Sequence, residues 1–115
     1  MLIKNPLSVV IYTDRLPSFV KGGITLWRFI FIRPKYRDDL GLLHHELTHI
    51  RQGWRMLLYP FPKHRLRLEV EAYREQMKWY RTSTVVEIFA HYLVNDYGLN
   101  ITLDEARRLL LDAGR

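Results

Sequence analysis

The stretch His44-His45-Glu46-Leu47-Thr48-His49 contains one copy of His-Glu-x-x-His, a pattern whose chemistry works only if the segment is helical. Residues four apart share a helix face, with side chains about 6 Å apart, so His45 and His49 can direct imidazole nitrogens at one ion. Glu46 stands about 100° further round and can reach a water on the open side of that ion. The plain alternative is an ordinary polar helical turn. The flanking residues weigh against it: Gly41, Leu42, Thr48, His49 and Gln52 cluster around His45 on a helical wheel, while Leu40, Leu43, Leu47, Ile50 and Trp54 fill the other side. This predicts a helix with an apolar face in the core and a histidine face lining a site. Two histidines and a carboxylate beside a core seam need a partner, and a metal ion supplies one.

The chain has no cysteine, so a zinc ion would have to be held by His, Asp or Glu. A catalytic zinc takes three protein ligands and keeps an open position. The following helical stretch offers Glu69, Glu71 and Glu75. Glu69 lies at the centre of a face with Tyr73, Gln76 and Tyr80, flanked by Leu66, Ala72, Met77 and Trp79, whereas Glu71 lies with Arg67, Arg74 and Lys78 on the charged side. A carboxylate in a packed face calls for a counter-charge, which selects Glu69 as the third ligand with Glu71 in reserve.

With 115 residues, the chain suits a single domain over 1–115 with a modest core. The opening Met-Leu-Ile-Lys-Asn-Pro lacks the apolar run of a signal peptide, and no stretch approaches eighteen apolar residues, so a cytoplasmic protein without a membrane span is expected. The net charge of +6 raises nucleic acid as a partner, but the basic residues are scattered from Arg28 to Arg108 and no nucleic-acid-binding motif accompanies them. A solvated basic surface is the simpler reading.

Residues 7–12 form a β-branched run and are expected as a strand. Residues 13–23, with Pro17 and Gly22-Gly23, read as a loop with a third short strand near Phe19 to Lys21. Residues 24–33 are apolar on both faces and predict one strand covered on both sides, ended by Pro34. The motif helix is expected from about 37–39 to 57, with Gly53 bending or fraying it. After the break at Tyr59-Pro60-Phe61-Pro62, a second helix runs over 63–80. Thr84 with Glu87, and Thr102 with Glu105, suggest capping boxes opening two further helices. The expected fold is α+β: a two- or three-stranded antiparallel or mixed sheet on the motif helix and the glutamate-bearing helix, then two C-terminal helices.

At Glu69-Val70-Glu71-Ala72-Tyr73, together with the motif, the chain resembles the gluzincin metallopeptidases, in which His-Glu-x-x-His is completed by a glutamate on a following helix, and most of all the small minigluzincins. The resemblance covers roughly residues 24–80. It implies a zinc-dependent endopeptidase with one ion on His45, His49 and Glu69, and Glu46 as general base. It also implies a strand, within 24–32, along whose edge a peptide substrate aligns. Where many relatives carry Asp four residues after the ligand glutamate, this chain has Tyr73. Tyr73 and Tyr80 are accordingly candidates for the cleft or for oxyanion stabilisation. His44 and His64 read as surface neighbours, and His91 as half of an exposed pair with Glu87. Two alternatives stay open. One is a latent or non-catalytic zinc-binding domain, with the tail from Thr102 to Arg115 able to cover a cleft through Asp112 or the terminal carboxylate. The other is a nucleic-acid-associated module.

Overall fold

A computed structural model describes residues 8–112 as an α+β fold with three strands and four helices. The strands are β1 (Val9–Tyr12), β2 (Gly23–Leu26) and β3 (Phe29–Ile32). They form a mixed sheet in the order β1-β3-β2, with β1 parallel and β2 antiparallel to the central β3. Leu7, placed in the first expected strand, lies outside the described residues.

The expected single strand over residues 24–33 is a hairpin. Its two-residue turn is Trp27-Arg28, with Trp27 at φ 58° and three-quarters exposed. The turn resets the alternation of side chains, so Ile24 and Leu26 share an outer face with Phe29 and Phe31 while Ile30 and Ile32 point inward and are fully buried. Only the inner face lies on the motif helix. Residues 19–21, expected as a third strand, are not one.

The motif helix, α1 (Leu40–Gln52), is capped by Asp39, whose carboxylate accepts from the Leu42 N–H at 3.0 Å. It ends at Gly53, where φ is 57°, a value glycine adopts without penalty, and a 3-10 segment, Gly53–Leu58, replaces the last expected turn. The wheel is inverted relative to expectation. The histidine face is the buried one, whereas Leu40 is 51% and Trp54 71% exposed. The polar side packs on α2 (Pro62–Met77) and on β2, where its groups find partners, while Leu43, Leu47 and Ile50 on the apolar side are only half-buried.

α2 starts with Pro62 in its first turn, where a missing N–H costs nothing. α3 (Thr84–Asn95) follows without the expected capping box: its N-cap is Ser83, whose side chain makes no cap bond. The box at α4 (Leu103–Leu111) is complete, with Thr102 and Glu105 exchanging both bonds. Val70 and Tyr73 of α2 form an apolar core with Phe89, Ala90 and Leu93 of α3 and with Leu99, Ala106 and Leu110. The C-terminal helix therefore completes this core. No helix among the described residues is long and apolar enough to cross a membrane.

Candidate metal centre

His45 and His49 sit one turn apart on α1 and Glu69 faces them from α2; all three are buried, and one ligand atom from each lies within 4.8 Å of the others. Glu69 Oε1 is 3.2 Å from His45 Nε2 and 3.4 Å from His49 Nε2. Neither imidazole is aligned to hydrogen-bond it, so this buried oxygen has no hydrogen-bond partner among the described residues. Ligands held at 2.0–2.1 Å around a tetrahedral zinc are separated by about 3.3 Å. The spacing fits an ion better than it fits direct hydrogen bonds, and the group could hold a metal.

The other Glu69 oxygen, Oε2, accepts from the Tyr59 hydroxyl at 2.6 Å. Burial disfavours a charged Glu69, yet His45 and His49 outweigh it and hold the carboxyl well below the usual range. Burial likewise opposes charge on His49, but Glu69 and then Glu46 raise it from 6.5 to about 9. Burial, reinforced by the Glu69 charge, pushes Tyr59 and Tyr73 well above the ordinary tyrosine value, so Tyr59 acts here as a donor and not as an anion.

Each histidine is held from behind by a glutamine. His45 Nδ1 meets Gln76 Oε1 at 2.9 Å, and His49 Nδ1 meets Gln52 Oε1 at 2.9 Å. Gln76 also bonds Tyr80, which reaches Asp39, and Gln52 bonds Leu68 and Glu71. Glu46, buried on the same helix, faces β2 instead: Thr25 Oγ1 donates to its Oε1 at 2.6 Å.

Glu71, held in reserve as a ligand, stands outside the cluster. Arg55 pairs with both its oxygens at 3.0 Å. Tyr73 is buried against the His45 ring, and its hydroxyl meets that of Tyr97 at 2.6 Å, so it packs behind the site and does not line a cleft. Tyr80 serves the Gln76 link. His44 stacks on Trp79, with ring centroids 4.3 Å apart, and His64 lies edge-on to Phe61. Glu87 pairs with Arg107 from α4, not with His91 as expected, because α4 docks beside α3. Asp112 is not among the clustered ligands, and the terminal carboxylate lies outside the described residues.

Thr25, Asp39, Gln52, Tyr59 and Gln76 were not assigned roles from sequence. Gln52 and Gln76 carried a signal, since each falls on the ligand face of its helix; Thr25, Asp39 and Tyr59 reach the site only through the tertiary fold. No known protein family, curated protein or solved structure matches the chain.

Proposed function

We propose that the chain is a small zinc-dependent peptidase of the gluzincin type, with His45, His49 and Glu69 as ligands and Glu46 as general base. The observation that carries this reading is the buried Glu69 Oε1, set at tetrahedral-edge distances from two imidazole nitrogens and bonded to neither. A zinc ion held there would supply Lewis-acid polarisation of a scissile carbonyl and of a water. Glu46 takes the proton of the attacking water and returns it to the leaving amine nitrogen. Tyr59 fixes the Glu69 carboxylate by holding the oxygen that faces away from the histidines.

The substrate class is an extended peptide. Gly22 O accepts from Arg33 N, so alternation along the antiparallel ladder turns the main-chain groups of Gly23 and Thr25 away from β3. β2 is an edge strand, and Thr25 is the residue bonded to Glu46, so a peptide added to that edge would run beside the base. A second reading, a metal-binding domain without turnover, draws support from the same Thr25 bond, which ties up one oxygen of Glu46.

Metal content and cleavage of an unstructured protein decide between them. Glu46→Gln is expected to retain zinc and lose at least about 10²- to 10⁴-fold in rate. Wild-type protein that takes up no zinc, or a Glu46→Gln variant cleaving at the wild-type rate, overturns the peptidase reading. A zinc-loaded wild type that is inert, with Thr25→Val also inert, assigns the site to the second reading.

A further inference from the structure

A histidine binds metal through the nitrogen that lacks a proton, so the proposed site depends on the tautomer of each ring. Both Nε2 atoms face Glu69, and each Nδ1 must therefore carry the proton. Each Nδ1 meets a glutamine, and an amide can turn either end toward it. Turned by its oxygen, the amide accepts and leaves Nε2 free. Turned by its nitrogen, it donates, drives the ring proton onto Nε2 and abolishes ligation.

The sense of each amide is decided one bond further out. Gln52 Nε2 has two partners that can only accept, Leu68 O at 2.9 Å and Glu71 Oε1 at 3.1 Å, so its oxygen is left for His49. Among the described residues Gln76 Nε2 has only the Tyr80 hydroxyl, at 3.0 Å, and a hydroxyl alone could play either part. Its proton, however, goes to Asp39 Oδ1 at 2.5 Å. That leaves Tyr80 an acceptor toward Gln76. The ring can stand there only because residue 41 is glycine: a Cβ at Gly41 would lie 2.6 Å from the Tyr80 hydroxyl and ring.

We propose that Tyr80, oriented by Asp39, is a positioning residue that fixes the amide sense of Gln76 and, through it, the metal-binding tautomer of His45. The inference rests on the metal reading above. It gives the chain a substitute for the carboxylate that Tyr73 does not supply, built from an amide whose direction is imposed by a distant acid.

The test is zinc affinity by competition with a chromophoric chelator, measured on the full chain for wild type, Tyr80→Phe, Gln76→Glu and the double variant. Tyr80→Phe keeps the ring over Gly41 and removes only the hydroxyl. In the wild-type background it is expected to weaken zinc binding about 10- to 100-fold, the usual cost of losing an outer partner of a ligand. A carboxylate at position 76 can only accept, so in the Gln76→Glu background the same change is expected to alter affinity by less than about threefold. Equal weakening in both backgrounds would reduce Tyr80 to packing and overturn the proposal, as would wild-type affinity in Tyr80→Phe. A wild type that binds no zinc would overturn the metal reading and this inference together, whereas an unaffected Tyr80→Phe leaves the metal reading standing. If circular dichroism shows Tyr80→Phe unfolded, Asp39→Ala, which removes the acceptor of the Tyr80 proton, replaces it in the same two backgrounds: a loss of affinity confined to the Gln76 background supports the idea, and equal effects in both or none in either sink it.

Discussion

Toward α1, helix α2 presents Glu69 and Gln76 to two histidines, and Glu71 to a glutamine; toward α3 and α4 it presents Val70 and Tyr73 to Phe89, Leu93 and Leu110. Both seams are buried, but their energetics differ in kind. The apolar seam gains from area removed from water and tolerates approximate fit. The polar seam is favourable only if each charge and proton is matched, since an unmatched buried group costs more than its bond returns. A fold of this size thus has one seam that holds it together and another that its contents must justify.

The sharpest way to break the comparison is at the shared helix. Glu69→Ala is expected to abolish most zinc binding, while Glu71→Ala, which removes the Arg55 pair and one Gln52 contact, retains it. Equal zinc retention in equilibrium dialysis of the two variants would show that Glu69 is not the ligand. On the other seam, Leu93→Ala empties a fully buried position and should cost about 2–5 kcal/mol in denaturant unfolding. Zinc stoichiometry per folded molecule should not change; a parallel loss would mean the seams are coupled more tightly than their chemistry implies.

The smallest effect is a pH signature confined to the polar seam. In metal-free protein the His49 value is raised from 6.5 to about 9, so its contribution to stability is complete below 6.5 and is lost as pH rises through 9. Glu69 is shifted the opposite way, and its contribution is lost on acidification below the ordinary carboxylate range. Urea midpoints of the metal-free protein should therefore fall between pH 6.5 and 9, and the decline should flatten in His49→Gln. An unchanged slope in that variant would place the titrating group elsewhere.

Much of this contrast was legible in the sequence, and its failures have physical causes. The motif, the glutamate on the next helix and the four helices follow from periodicity, prolines and caps, all of which are local signals. The inverted wheel of α1 was not legible, because hydropathy assumes that apolar residues face inward, and here buried polar groups meet partners 16 to 31 residues further along the chain. The hairpin was hidden because Trp27-Arg28 contains neither glycine nor asparagine, the residues that ordinarily mark a tight turn with positive φ. Thr84-Glu87 shows the reverse error: a capping pattern is present, but the helix begins one residue earlier than a box at Thr84 would require.

The Asp39 cap ties these observations to motion. The first turn of a helix ordinarily frays on its own, the least costly opening a folded chain undergoes. In α1 the carboxylate that caps Leu42 also receives the Tyr80 proton from the chain just beyond the end of α2. Fraying at Leu40 and Gly41 would then break a link to the chain beyond α2 as well as a terminal bond, so the end of α1 nearest this link is expected to exchange its amide protons slowly and not as loose periphery.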